Sequence, residues 1–174
     1  GGHILGSAWV RVELSGTGVL FSGDVGRWGR PIIRDPAPIQ PADYLVLEST
    51  YGGSVHQDAG GIEESLEKAV KATRQAGGNL LVPSFALERS QEVLYYLNRL
   101  QASGRIPHLP VFLDSPMAVD VTEVFLRHPD LFDEEMRGLM RSGRSPFSFP
   151  GLSMVRTSAQ SKTLNHLKGT AVII

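Results

Sequence analysis

Apolar and small residues recur at helical spacing at Ile62, Leu66, Ala69, Val70, Thr73 and Ala76, and Gly77-Gly78 closes the run. Helices are likewise predicted from Glu88 to Leu100, from Pro116 to Leu126, around Glu134 to Met140, and from Gln160 to Leu167. Between them lie short unbroken apolar runs: Leu80-Leu81-Val82, Val111-Phe112-Leu113, Met154-Val155 and Ala171 to Ile174. Strands too hydrophobic to alternate, each followed by a helix, imply a parallel sheet covered on both faces. The first third reads differently. Val10 to Leu14 and Val19 to Phe21 flank Ser15-Gly16-Thr17-Gly18, a strand–turn–strand hairpin signal. Val25 to Pro41 is rich in Gly, Pro and Arg without a period and reads as a loop, and Tyr44 to Leu47 is predicted as a short buried strand.

The strand ends share a chemistry. Leu47-Glu48-Ser49-Thr50, Val82-Pro83-Ser84-Phe85, Leu113-Asp114-Ser115-Pro116 and Arg156-Thr157-Ser158-Ala159 each place a hydroxyl just after a strand. Taken singly, each serine reads as a helix cap, most clearly Ser115 before Pro116. Taken together at one edge of one sheet, Ser84, Ser115 and Ser158 with Ser49 form a row of hydroxyls and helix N-termini suited to phosphate. Arg89 stands in line with Val93, Tyr96, Leu97 and Leu100, the apolar stripe of its helix. An arginine there either forms an ion pair with Asp114 or Glu88 or emerges at the sheet edge as a bidentate phosphate clamp.

Composition narrows the partners. The 174 residues carry a formal net charge of -1, so a polyanion must be gripped by placed residues rather than by a basic coat. The arginines of the irregular loop, Arg27, Arg30 and Arg34, read as a solvated face, with contact to substrate as the alternative. No cysteine is present, which excludes a disulfide framework and thiolate metal sites and fits a reducing, cytoplasmic compartment. No apolar run approaches the roughly 18 residues of a membrane helix. The chain opens on Gly1 and ends inside an apolar run at Ile174, so it is expected to be a piece of a longer enzyme.

Three polar residues stand where hydrophobic runs break into small ones: His3 in Gly2-His3-Ile4-Leu5-Gly6-Ser7-Ala8, Asp24 in Phe21-Ser22-Gly23-Asp24, and Glu48 in Leu47-Glu48-Ser49-Thr50-Tyr51-Gly52. An α/β protein places its chemistry at such strand ends. Each residue alone is as well explained as a turn or capping residue. Jointly they offer a neutral imidazole, a carboxylate able to bridge two Zn²⁺ ions, and a further acid to orient a ligand or move a proton.

These three motifs resemble, in order, those of the metallo-β-lactamase-fold nucleases of the β-CASP group. Pro83-Ser84-Phe85-Ala86-Leu87-Glu88-Arg89-Ser90-Gln91-Glu92 is similar to that family's Arg-and-Gln helix start, and Leu113 to Ala118 to its next strand and turn. Ser158 through Asn165 is similar to the Ser…Leu-Asn stretch near the end of the inserted domain. The Glu-Ser-Thr-Tyr-Gly form points to the RNA-processing branch. The resemblance implies that His3 is a zinc ligand, that Asp24 bridges two zincs, and that Glu48 is the acid supporting the site and its proton traffic. It implies RNA as substrate, for which the hydroxyl row and the arginine stripe offer Ser84, Arg89, Ser115 and Ser158 as the expected contacts. It also implies a His-x-His-x-Asp-His motif upstream of Gly1 and two histidine motifs beyond Ile174. None of His56, His108, His128 or His166 stands in a context to replace them.

The expectation is therefore an α/β chain: residues 1–53 as part of a metallo-β-lactamase αββα lobe, and 54–174 as a nearly complete β-CASP domain with a mostly parallel sheet flanked by helices. The expected function is zinc-dependent hydrolysis of RNA in processing or decay. Endo- and exonucleolytic action, a homodimer and a processing complex stay open. The alternatives are a non-catalytic RNA- or phosphate-binding fragment and a metallo-hydrolase of small esters. Alone, the 174-residue chain is expected to bind no tight zinc and to cleave nothing.

Overall fold

A computed structural model describes residues 1–55 and 61–174. By contacts the chain divides into two compact units, Gly1–Asp58 with Asp130–Arg137, and Ala59–Pro129 with Gly138–Ile174. The segment 130–137 thus groups with the first unit, whereas the sequence reading runs the second region unbroken from 54.

The first unit is built on a three-stranded sheet in the order β1-β2-β3. β1 (Val10–Leu14) and β2 (Thr17–Phe21) form an antiparallel hairpin in which Leu14 pairs with Thr17. The turn is two residues, Ser15 at φ 51° and Gly16 at φ 83°. Both lie in the left-handed region that right-twisted hairpin strands require, so the turn is shorter than the predicted Ser15–Gly18. β3 (Tyr44–Val46) runs parallel to β2.

Tyr44–Leu47 was predicted as a buried strand. It is exposed: Tyr44, Leu45 and Val46 keep 64, 50 and 51% of their surface. β3 is an edge strand, and apolar composition alone does not say what covers it. The unit's core lies instead around Leu20, Ile32, Ile33, Phe132 and Met136. Phe132 pairs with Ile33, and Asp133 N–H donates to the Ile32 carbonyl at 2.9 Å, pinning the irregular loop to the 130–137 segment.

The second unit holds a four-stranded, wholly parallel sheet in the order β4-β7-β5-β6: β4 (Leu80–Leu81), β5 (Val111–Leu113), β6 (Leu152–Met154) and β7 (Val172–Ile173). The helices are α1 (Ile62–Ala76), α2 (Arg89–Ala102), α3 (Pro116–Arg127), α4 (Glu134–Arg141, shared with the first unit) and α5 (Ser158–Thr163). Val111, Leu113 and Val172 are fully buried, as are Leu94, Leu97 and Leu100 of α2 and Phe125 of α3. Cover on both faces is a property of the central strands; Leu81 on edge strand β4 keeps 68% exposure.

Helix ends follow local chemistry. Gly77 closes α1 at φ 73°, its N–H donating to Arg74. α1 is tied toward α2 by charge, since Arg105 grips Glu67 through Nε at 2.8 Å and lies 3.4 Å from Glu63. α5 starts earlier than predicted because Thr157, not Ser158, is its cap. Thr157 and Gln160 form a reciprocal capping box.

Candidate functional site

In the first unit two loops cross almost backbone to backbone. A Cβ on Gly26 would lie 1.8 Å from the Gly2 carbonyl oxygen, and one on Gly2, at φ 69°, 2.6 Å from Pro36. Only glycine permits this approach. Gly26 N–H donates to the Gly1 carbonyl at 2.9 Å, and the Ser7 hydroxyl accepts from His3 N–H at 3.0 Å, closing the loop that carries the histidine. The crossing sets His3 Nε2 3.9 Å from Asp24 Oδ2. Their side chains keep 46 and 72% exposure, so the pair faces solvent.

Glu48 holds this arrangement from behind. Its Oε1 accepts from Val25 N–H at 3.2 Å and its Oε2 from Thr50 N–H at 3.0 Å. One carboxylate thus ties the loop after β2, beside Asp24, to the turn after β3. The hydrogen bonds from Thr50 and Val25, with a smaller contribution from His3, hold the carboxyl below its ordinary value. Ser22, buried after β2, accepts from Glu48 N–H at 3.0 Å and donates to the Gly23 carbonyl. In the sequence Ser22 stands out only as a neighbour of Gly23-Asp24, and Ser7 carries no signal of its own. Both are the hydroxyls that fix the loop shapes.

The other predicted residues lie in the second unit, and only two come together. Ser84 and Arg89 line a cavity of about 470 Å³ with Phe85, Glu92, Tyr96 and Ile62. Arg89, Glu92, Val93 and Tyr96 fall at i, i+3, i+4 and i+7, one face of α2. Arg89 pairs with neither Asp114 nor Glu88, as the ion-pair expectation had it. Its Nη1 donates to Glu92 Oε2 at 2.9 Å. Asp114 accepts instead from the Ser161 hydroxyl at 2.8 Å. The Arg89–Glu92 pairing was legible as an i, i+3 charge pair. Glu92 is buried while Arg89 stays half exposed, so the pair compensates a buried carboxylate and leaves part of the guanidinium open to solvent.

Just before Arg89 the backbone is strained. Glu88, buried, sits at φ 68° and ψ −55°, and Arg89 N–H donates to the Leu87 carbonyl at 2.9 Å. That is a γ-turn with a positive central φ, a rare geometry for a non-glycine residue that concentrates at functional sites.

Ser115 caps α3 by accepting from Ala118 N–H at 3.2 Å, and Ser158 is an exposed residue in the first turn of α5. Neither lines the Arg89 cavity. The row of hydroxyls also needs correcting. The junctions after β4, β5 and β6 share the C-terminal edge of the parallel sheet, but Ser49 follows β3 of the other sheet, because chain order does not fix sheet membership. Of the remaining histidines, His56 lies outside the described residues, and His108 bonds Gln101 through Nδ1 at 3.0 Å.

Comparison with known proteins decides the kinship. The Beta-Casp domain matches residues 90–174, from the first turn of α2 through β7. The chain is 35% identical over 173 residues to "Ribonuclease TTHA0252" of Thermus thermophilus, a match covering 99% of this chain and 40% of that protein. Residues 90–174 thus carry the Beta-Casp domain, and the chain is similar to a ribonuclease over nearly its whole length. It is also 31% identical over 162 residues to "Endoribonuclease YSH1" of Eremothecium gossypii, covering 89% of this chain and 21% of that protein. The "RNase J-like protein" of Methanocaldococcus jannaschii is 28% identical over 149 residues, with 84% and 35% covered. The chain therefore spans less than half the length of these curated relatives.

β-CASP kinship implies a metal, and the donors present fit part of a site. Tetrahedral zinc with bonds near 2.0–2.1 Å sets its ligand atoms about 3.4 Å apart. His3 Nε2 and Asp24 Oδ2, at 3.9 Å and open to solvent, need only a small side-chain adjustment to be two such corners. Among the described residues no group of three His, Asp or Glu side chains is placed to complete it.

Proposed function

We propose that the protein carrying this chain hydrolyses RNA phosphodiester bonds with zinc bound in part by His3 and Asp24. The observation that carries this reading is the solvent-facing His3–Asp24 pair, held by glycine crossings and by Glu48 in a chain with β-CASP relatives. A bound zinc pair would supply an activated water and neutralise charge on the phosphate. The roles of this chain's own residues follow from their contacts. His3 and Asp24 donate ligand atoms. Glu48, with both oxygens occupied by backbone N–H groups and its carboxyl held ionised, is a positioning acid rather than an effective proton donor near neutral pH. In the second unit Arg89 and the Ser84 hydroxyl line a cavity that takes an RNA phosphate, and the half-exposed Arg89 guanidinium, with one nitrogen on Glu92, offers the phosphate its remaining N–H groups. Ser115 and Ser158 stand at the same sheet edge as further backbone contacts.

The same donor count supports a narrower reading for the 174 residues alone. Two ligands do not hold a tight zinc, so this stretch by itself binds RNA without cleaving it. A homodimer or a processing complex, in a cytoplasmic setting, completes the proposal. The test is cleavage of a labelled RNA by the intact protein with and without a chelator. Activity lost on chelation and restored by zinc supports the reading, and chelator-resistant cleavage overturns it.

A further inference from the structure

A second cavity, of about 490 Å³, lies along the C-terminal half of α2, lined among others by Asn98, Arg99, Arg144, Ser148 and Phe149. Nothing in the zinc or Arg89 chemistry uses it. It is formed between α2 and the irregular segment 143–150, which the sequence marks only as a Gly/Pro/Ser/Phe loop. That segment is firmly anchored. Asn98 Nδ2 donates to the carbonyls of Ser145 and Pro146, both at 3.1 Å. Phe147 is buried and packs edge-on against Phe125 at 6.0 Å. The loop's remaining side chains are thus presented at fixed positions, as a pre-formed site requires.

What it presents is two guanidinium groups on a partly aromatic wall. Arg99 lies over the Tyr95 ring, 5.5 Å from its centroid, and donates to the Tyr95 hydroxyl at 2.9 Å. Its other side lies 3.6 Å from Glu63, so Arg99 is fixed and partly neutralised. Arg144 differs. Its Nε donates to the Ser142 hydroxyl at 3.1 Å, and among the described residues no carboxylate pairs with it. An arginine without an acid, beside the Ser148 hydroxyl, suits a phosphate, while the half-buried Phe149 ring beside them suits a base.

We propose that this cavity binds a nucleoside monophosphate unit, its phosphate on Arg144 and Ser148 and its base against Phe149. The unit comes either from a free mononucleotide or from an RNA strand running along α2. Arg89 and Arg99 are ten positions apart, about 15 Å along the helix, so a strand seated at the first cavity can reach the second. The strand source rests on the ribonuclease reading; the mononucleotide source does not.

The test titrates the intact protein with AMP, and separately with a short single-stranded RNA, in wild type and in Arg144→Ala and Arg144→Lys variants, following binding by calorimetry. Arg144 is exposed and lacks a carboxylate partner among the described residues, so the variants should fold. For AMP, Arg144→Ala is expected to weaken binding about tenfold and Arg144→Lys less. Binding of RNA but not AMP, still weakened by Arg144→Ala, assigns the site to a strand. Arg144→Ala binding both ligands as wild type does, or neither ligand binding wild type at millimolar concentration, overturns the proposal. Loss of chelator-sensitive cleavage with AMP binding intact would remove the ribonuclease reading and leave this site standing.

Discussion

The two sheets use apolar residues in opposite ways. In the parallel sheet of the second unit, Val111, Leu113 and Val172 are fully buried, and α2 adds Leu94, Leu97 and Leu100. In the three-stranded sheet, Val10, Val12, Leu14, Tyr44, Leu45 and Val46 stay roughly half exposed or more, and the buried positions of the paired strands are Gly18 and Leu20. The strands look alike in composition, yet one set is a core and the other a platform. The platform gains its definition from polar and steric devices in its loops: the Gly2–Gly26 crossing, the Ser7 and Ser22 hydroxyls, and the two-handed grip of Glu48. Stability thus concentrates in the second unit and the proposed metal ligands in the first.

Asp24→Ala should break the contrast most sharply. It removes a proposed ligand at an exposed position, so turnover of the intact protein on RNA should fall at least about a thousandfold, or some 4 kcal/mol in transition-state stabilisation. In the metal-free protein the melting transition should hardly move. A large loss of stability would mean that Asp24 is structural.

Next in size is a pair of core-against-platform substitutions in the 174-residue chain. Leu97→Ala should cost about 2–5 kcal/mol in denaturant unfolding, whereas Leu45→Ala should cost no more than about 0.5 kcal/mol. Equal costs would erase the distinction between the two sheets.

Arg89→Gln should lower RNA affinity about tenfold and also cost stability, because it takes this charge partner from the buried Glu92 carboxylate. Retained affinity would remove Arg89 from the substrate path.

The smallest effect concerns pH. The Glu48 carboxyl is held below its ordinary value of 4.5 in the folded chain. Its contribution is present above that value and is lost as pH falls through the lower folded value. Glu48→Gln should therefore flatten part of the acid limb of stability below about pH 4.5, seen in melts from pH 7 to 3. An unchanged acid limb would show that the two backbone hydrogen bonds do not couple to folding.

Much of this was legible in the residues. The α1 stripe with its Gly77 stop, the hairpin, and the β–α alternation all rest on local periodicity and turn chemistry. So does the Thr157–Gln160 capping box, whose pattern was there to be read although Ser158 was preferred. What escaped was set by partners distant in sequence. The exposure of β3 depends on what lies over it, the membership of Ser49 in a different sheet on topology, and the packing of 130–137 with the first unit on a single bridge to Ile33. The γ-turn at Glu88 left no trace in composition, because a buried glutamate at positive φ is a departure from local preference.

Metal content tests the central claim most directly. Elemental analysis of the intact protein and of its His3→Ala and Asp24→Asn variants should show zinc in wild type and a clear loss from each variant, in step with RNA cleavage. Full zinc occupancy and unchanged cleavage in both variants would contradict the assignment of His3 and Asp24 as ligands.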